Sequence, residues 1–235
     1  VVTGMAKVLA DRGDDSLAFV LREAAAGEVF AFGNSEAGND LVMFGSRTRA
    51  ERQPDGGYRF TGTKIFTSLA PVWTRLATFG LDEAHPEGPR LVHAVVARED
   101  GGVETRDDWD TLGMRATQSC TTVLTGAYAS PDRLVRTLPP GPSADPYVFA
   151  LFAVFEILLA SVYTGIGRRA LELAVAAAHR RTSMKHDGRS YAQDPDIRWR
   201  VADAAIAQDG IEPQVWALAR DVDERVDHGG LWFAK

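Results

Sequence analysis

The sequence has very little cysteine and no dense basic region, and both absences exclude classes of protein. Cys120 is the only cysteine in 235 residues, so an internal disulfide is excluded, and a lone thiol fits a reducing cytoplasm. Cys120 has no neighbouring histidine in the sequence, which argues against a nucleophilic role. The net charge is -6, and the densest basic cluster is Arg180, Arg181 and Lys185. A nucleic-acid partner is therefore not expected.

Long apolar runs are also missing. The longest stretch, Val148 to Ala160, is too short to span a bilayer and contains Glu156. We predict a buried helix there and no membrane association. The sequence contains no internal repeat, and it suggests no metal site.

Three zones follow one another along the chain. Residues 1–26 carry Leu and Val at helical spacing, with a stop and a new N-cap at Gly13 to Ser16. Between 27 and 137 the helical period is lost, and short β-rich runs alternate with turns, which predicts a barrel or sandwich. The runs expected to form strands are Val42–Gln53 and Tyr58–Ser68, which make a hairpin, then Arg75–Leu81, Leu91–Arg98 and Thr121–Ala129.

Prolines at 139, 140 and 142 form a linker, because consecutive prolines resist both helix and sheet. Beyond it the spacing predicts a long helix over Phe149–Thr182, apolar on most faces and so suited to a bundle. Asp194 and Pro195 predict the cap and first turn of the next helix, which runs towards His228.

Three short motifs are suited to binding a flat ligand. The first, Phe32 to Asp40, places glycines among small polar side chains, although a polar turn explains it equally well. The second, Gly62 to Ser68, has an aromatic ring two residues before a hydroxyl, although Phe66 could also be a core residue. The third, Gly113 to Ser119, leads through Arg115 into the last strand.

In this order, and followed by Gly165–Leu171 and Arg181–Met184, these motifs resemble those of the acyl-CoA dehydrogenase family. The resemblance implies an α+β fold with a central β-barrel domain, flanked by a remnant of an N-terminal helical domain and by a C-terminal helical bundle. The expected boundaries are 1–26 for the remnant, 27–137 for the flavin and substrate barrel, and 145–235 for part of the bundle.

The resemblance also implies an FAD site. Phe32, Asn34 and Ser35 match residues that meet the flavin ring, and Ser35 keeps a hydroxyl for its pyrimidine end. Phe66 stands where the family usually stacks a Trp on the flavin. Ser68 replaces the Thr that hydrogen-bonds beside the reactive ring nitrogen.

Other positions extend this implied site. Gly38 and Asn39 match a Gly-Ser pair shared between flavin and substrate. Arg181, Ser183 and Met184 match a helix end that reaches the FAD pyrophosphate of a neighbouring subunit. The planar guanidinium of arginine suits that role, and the contact implies a homodimer or homotetramer.

The reaction that the resemblance implies is α,β-dehydrogenation of an acyl-CoA thioester, with hydride transfer to the flavin and reoxidation by an electron-accepting flavoprotein. Most members take the catalytic base from a region that would lie beyond Lys235. In others the base lies on the first bundle helix, at the position of Phe155 here, and Glu156 is its neighbour. One helical step rotates a side chain by about 100°. Glu156 is the candidate base within the chain, because burial would raise its pKa towards a useful range.

Two other functions stay open. A two-component flavin monooxygenase has the same fold but takes reduced flavin and activates oxygen. The loop Ser35–Asp40 favours the dehydrogenase, because monooxygenases of this fold tend to lose it. A non-catalytic subunit that retains the fold is the third possibility. The start at Val1, the end at Lys235 and the short segment around Leu21 lead us to expect that the sequence joins pieces of a longer protein.

Overall fold

The computed structural model describes residues 1–226, in two compact units. The first runs from Val1 to Leu151, and the second starts at Phe152. The first unit contains the sheet together with the N-terminal helices, and the second contains most of one long helix, a small hairpin and another long helix.

The N-terminal zone folds as predicted from its spacing. Helix α1 spans Val2–Ala10 and α2 spans Ala18–Ala25, with a short 3-10 turn between them. The Asp14 side chain accepts a hydrogen bond from the Ser16 amide, which makes it the predicted new cap. Helix α2 continues without interruption through Leu21.

Eight strands form one mixed sheet, in the order β6-β7-β3-β2-β4-β5-β8, with β1 paired in parallel to β4. The strands are β1 (Phe30–Phe32), β2 (Arg49–Arg52), β3 (Tyr58–Lys64), β4 (Arg75–Asp82), β5 (Arg90–Ala97), β6 (Val103–Thr105), β7 (Thr122–Ala129) and β8 (Leu134–Leu138). Strands β5 and β7 are not neighbours in the sheet, yet they contact each other. The predicted barrel is thus a curled sheet, and no hydrogen bonds join its edge strands β6 and β8 within the described residues.

The predicted hairpin is confirmed, with a shorter first strand. Strands β2 and β3 pair antiparallel from Arg49–Thr61 to Arg52–Tyr58. The expected start at Val42 is wrong, because residues 42–44 form a 3-10 turn and Val42 has a φ of 50°. That left-handed backbone cannot continue into a strand.

The core of the first unit lies inside the curled sheet. A cluster of buried apolar side chains comes from β1 to β5, from β7 and from the loop before β4, and its members include Phe60, Trp73, Leu76, Val92 and Leu124. On β3 and β5 alternate residues belong to this cluster, as the period of two requires. The cluster fixes the strand ends that carry the candidate site.

After the linker, helix α3 runs from Pro146 to Arg180. Among the described residues it is the one helix long and apolar enough to cross a membrane by length and composition, a test that the core helix of a soluble protein also passes. It is much longer than the apolar stretch that the sequence analysis singled out. The expectation that this stretch is too short to span a bilayer therefore does not apply to the whole helix.

The second unit ends with a small hairpin and a capped helix. Strands β9 (Thr182–Ser183) and β10 (Arg189–Ser190) pair antiparallel. Helix α4 runs over Pro195–Asp223, and the Asp194 carboxylate accepts hydrogen bonds from the amides of Asp196 and Ile197, as predicted. The expected continuation to His228 lies outside the described residues.

Helix α3 is not the buried helix that its composition predicts. Within the second unit it contacts α4 through a hydrogen bond from Gln208 to the Thr164 carbonyl and an ion pair between Arg168 and Glu212. Its start at Val148 to Leu151 is largely buried, but many apolar side chains further along are exposed, including Leu158, Leu159, Val162, Tyr163, Ile166 and Leu173. One neighbouring helix covers too little surface to bury a helix that is apolar on several faces.

Candidate functional site

The first motif runs closely beside strand β4. The Gly33 amide donates to the Ala77 carbonyl at 2.9 Å, and the Thr78 hydroxyl donates to the Gly33 carbonyl at 2.8 Å. A Cβ on Gly33 would lie 2.7 Å from a terminal methyl group of Leu76, so a larger residue would displace that buried side chain. Two residues later, the Ser35 carbonyl accepts a hydrogen bond of 2.8 Å from the Ile65 amide. The first motif is thereby joined to the end of β3, where the second motif lies.

A buried glutamate organises the loop that follows. The Glu36 side chain is 2% exposed, and its two oxygens accept six hydrogen bonds. The donors are the Asn39 amide, the Ser46 hydroxyl, the Arg47 backbone, the backbone and hydroxyl of Thr48, and Lys64. Buried charges are tolerated where they are paired in this way.

Lys64 is the charge partner of Glu36. Its Nζ lies 2.7 Å from Glu36 Oε1, donates to the Phe79 carbonyl at 2.8 Å and is completely buried. Burial lowers the pKa of Lys64 to about 8, against the opposing charge of Glu36. Burial alone would raise the pKa of Glu36, but the Lys64 charge and the hydrogen bonds lower it to about 2. Both groups are therefore charged at neutral pH.

Asn39 and Gly38 belong to this loop. The Asn39 amide donates to Glu36 and to the Gly45 carbonyl, and its oxygen accepts from the Leu41 amide. The hydrogen-bonding capacity of this side chain is thus used within the loop. Gly38 is exposed with a φ of 71°, and a Cβ there would lie 2.9 Å from Arg47. Their predicted contact with cofactor or substrate stays a prediction.

The second motif exposes an aromatic ring. Phe66 has a φ of 57° and is 59% exposed, so it is not a core residue. A positive φ at a bulky residue is strained and is often found at binding sites. The edge of Trp109 lies against it, with ring centroids 6.2 Å apart. The ring of Phe66 is thus accessible, and its predicted stacking on a flavin stays a prediction.

Hydroxyl and amide side chains lie on the segments that adjoin Phe66. Ser68 is exposed and lies 2.7 Å from the buried hydroxyl of Ser119, in the third motif. Ser35 is exposed, whereas Asn34 is buried, and Phe32 is half-buried at the end of β1. The sequence does not predict that the second and third motifs lie close together, because 51 residues separate Ser68 from Ser119.

Two buried polar atoms close to these segments have no hydrogen-bond partner within the described residues. They are Asn34 Oδ1 and Thr67 Oγ1, and Thr67 packs against Gly33. Leaving such an atom unpaired costs about 1–3 kcal/mol, so these positions are suited to a polar ligand. A flavin offers a flat ring for Phe66 and polar ring edges for the amide and hydroxyl groups. The residues present fit that cofactor.

The remaining predicted residues lie in the second unit. Arg181 and Met184 are exposed, and Ser183 is half-buried in strand β9. Glu156 is exposed on α3, so the burial expected of a candidate base is absent, and its catalytic role stays a prediction. No cluster of metal-binding side chains occurs among the described residues.

The sequence analysis gave no role to four residues that build the site: Glu36, Lys64, Thr67 and Ser119. Lys64 lies at the end of strand β3, and a lysine at such a position could have indicated a buried charge. Its partner could not be identified, since Glu36 lies 28 residues earlier.

The relatives of this chain include dibenzothiophene monooxygenases, sugar nitrososynthases and a 2-methylacyl-CoA dehydrogenase from Solanum tuberosum. A dibenzothiophene monooxygenase from Mycolicibacterium goodii is 33% identical over 148 residues, which is 60% of this chain and 35% of that enzyme. An amino sugar nitrososynthase from Streptomyces peucetius is 30% identical over 188 residues, covering 80% of this chain and 45% of the enzyme. The chain thus spans less than half the length of these relatives. No protein-family model matches it.

Solved structures share the fold over almost the whole chain. Butyryl-CoA dehydrogenase from Megasphaera elsdenii matches with a TM-score of 0.77 at 19% identity, covering 93% of this chain and 56% of that one. The complex of TdsC from Paenibacillus sp. A11-2 with FMN and indole matches with a TM-score of 0.71 at 25% identity, over 92% and 56% of the two chains. The chain therefore has the acyl-CoA dehydrogenase fold, and its relatives are flavoenzymes built on that fold.

Proposed function

We propose that this chain is the flavin-binding part of an oxidoreductase that uses reduced flavin and dioxygen to oxygenate a small organic molecule. The observation that carries flavin binding is the exposed, strained Phe66 ring beside Ser35, Ser68 and the unpaired Asn34 and Thr67 atoms. The oxygenation is supported by the names of the two relatives, a monooxygenase and a nitrososynthase. Either FMN or FAD suits this site.

A bound flavin supplies hydride transfer or, when reduced, reaction with dioxygen. The protein's own residues bind and orient the ring. Phe66 covers one face and excludes water from it, while Ser35 and Ser68 supply hydrogen bonds at its edges. Glu36 and Lys64 hold these two segments together. Arg181 is the proposed partner for the phosphate of a cofactor bound to a neighbouring subunit.

The second candidate is FAD-dependent α,β-dehydrogenation of an acyl-CoA, with an electron-accepting flavoprotein as partner. Its support is the shared fold of butyryl-CoA dehydrogenase and the loop Ser35–Asp40, which the family's monooxygenases tend to lose. Asn39 argues against it, because this side chain stands where the family supplies a serine hydroxyl and is hydrogen-bonded within its own loop.

Titration of the purified 235-residue chain with FMN and FAD tests flavin binding. We expect saturable quenching of flavin fluorescence, and Phe66→Ala should weaken binding roughly 10-fold through loss of the stacked ring. Trp216→Ala, at a 67% exposed position of α4, is the control and should bind normally. Absence of binding by FMN and FAD in both redox states would leave only a non-catalytic role.

The reaction class is tested with the same protein. Oxygenated product formed from reduced flavin and dioxygen, supplied with a separate flavin reductase, supports the monooxygenase. Formation of a 2-enoyl-CoA with an artificial electron acceptor, without a reductase, would replace it by the dehydrogenase.

A further inference from the structure

Three hydroxyl groups form a continuous chain behind the exposed Ser68. Ser68 Oγ lies 2.7 Å from Ser119 Oγ, which lies 2.8 Å from Thr117 Oγ1. Thr117 Oγ1 lies 2.8 Å from the Met114 carbonyl oxygen. Ser119 is 6% exposed, so its hydroxyl has little access to water. The inner end of the chain is a carbonyl, and the outer end is Ser68.

The carbonyl fixes the direction of the hydrogen bonds. A carbonyl oxygen can only accept, so Thr117 donates its single hydroxyl proton to Met114. Thr117 can then only accept from Ser119, and Ser119 can only accept from Ser68. Ser68 therefore donates its hydroxyl proton to Ser119 and has only lone pairs to offer a ligand. Towards a ligand it is an acceptor and not a donor.

If the hydroxyl groups donated in the opposite direction, from Thr117 towards Ser68, the protein would make one internal hydrogen bond fewer. If Thr117 donated to Ser119 and Ser119 to Ser68, the bond from the Thr117 hydroxyl to Met114 would be lost. The Met114 carbonyl would keep two donors, the Trp109 indole and the Thr117 amide, each at 3.1 Å. Reversal is thus accessible, and the outward-accepting direction is favoured by a single hydrogen bond.

We propose that Thr117 and Ser119 are positioning residues that hold Ser68 as an acceptor, so that the site favours reduced over oxidised flavin. This inference rests on the proposed flavin site, in which Ser68 lies beside the reactive ring nitrogen. That nitrogen carries a hydrogen in reduced flavin and only a lone pair in oxidised flavin. One matched hydrogen bond changes an affinity by roughly 2- to 10-fold.

The test compares dissociation constants for oxidised FMN and, under anaerobic conditions, reduced FMN. The unchanged protein should bind reduced FMN more tightly. Thr117→Val removes the acceptor for the Ser119 proton, so Ser119 turns towards Ser68 and frees the Ser68 proton for the ligand. The preference for reduced FMN should fall by roughly 2- to 10-fold. The midpoint potential of bound FMN should fall with it, by about 30 mV for a tenfold change.

Thr111→Val is the matched control. The Thr111 hydroxyl also donates to a carbonyl of the same loop, that of Gly113, but it has no connection to Ser68. This control should leave the affinity ratio and the potential unchanged. Ser68→Ala provides a second variant with the inner hydroxyls intact, and it should abolish the preference.

The outcomes separate the two proposals. If the unchanged protein binds neither form of FMN or FAD, the proposed function and this inference fall together. If FMN binds without preference for the reduced form, or if Thr117→Val and Thr111→Val give the same ratio as the unchanged protein, only the hydroxyl chain is overturned.

Discussion

The two units of this protein differ in how far their apolar and charged side chains are buried. In the sheet unit, large apolar side chains such as Phe60, Trp73 and Phe79 are fully buried, and the Lys64–Glu36 pair is shielded from solvent. In the helical unit, the Arg168–Glu212 pair is exposed, and apolar side chains of both helices face outward. Large exposed apolar patches mark surfaces that contact other protein. The sheet unit is thus stabilised mainly from within.

Replacing the cation of each ion pair should produce the largest contrast. Lys64→Met leaves the Glu36 charge buried without its partner, and we expect a loss of about 3–5 kcal/mol in the free energy of unfolding. Arg168→Met should leave stability unchanged within error, since exposed pairs contribute little. Urea unfolding followed by circular dichroism measures both.

The double substitution Glu36→Gln with Lys64→Met sharpens this result. It removes both charges, so a large part of the loss should be recovered. No recovery would mean that the hydrogen bonds to Glu36, and not its pairing with Lys64, carry the stabilisation.

The same contrast applies to a leucine in each unit. Leu124, on β7, is 1% exposed, whereas Leu173, on α3, is 53% exposed. Leu124→Ala should cost about 2–5 kcal/mol through lost burial and a cavity, and Leu173→Ala should fall within about 0.5 kcal/mol of the unchanged protein. Thermal melting at several protein concentrations measures the difference. A comparable loss for Leu173→Ala would show that this face of α3 is covered in solution.

Local patterns in the sequence predict much of this architecture. Asp14 and Asp194 cap helices where expected, and Pro54 to Gly57 form the turn of the β2–β3 hairpin. Short signals such as these depend on a few neighbouring residues. The fold itself was predicted from the resemblance to acyl-CoA dehydrogenases, and that resemblance depends on the order of the motifs along the chain.

What the sequence does not predict depends on distant contacts. Strand β1 has three residues and owes its existence to pairing with β4, 45 residues away. Glu36 finds six donors only after the chain has folded around it. The exposure of α3 was also missed, because composition records how apolar a helix is and not whether enough surface lies nearby to cover it.

The smallest expected effect is a loss of stability at acid pH. We expect it from a histidine of the sheet unit and not from one of the helical unit. His93, on β5, is 1% exposed, stacks on Phe79 at 5.1 Å, and its Nδ1 has no hydrogen-bond partner among the described residues. Burial and the charges of Lys64 and Arg136 lower its pKa to about 3. The unfolded chain takes up this proton near pH 6.5 and the folded chain does not. Stability from His93 is therefore complete above pH 6.5 and is lost as the pH falls towards 3.

Between pH 7 and pH 5 this histidine should remove about 2 kcal/mol from the free energy of unfolding, at about 1.4 kcal/mol for each pH unit below 6.5. His93→Phe keeps a flat ring beside Phe79 and removes the titration, so urea midpoints at the two pH values should move closer together. His179→Phe, at an exposed position of α3, is the control and should leave the difference between the two pH values unchanged. An unchanged difference in His93→Phe would mean that His93 does not cause the loss of stability between pH 7 and pH 5. Glu36 would not explain that loss either, because its contribution is lost only as the pH falls below its unfolded pKa of 4.5.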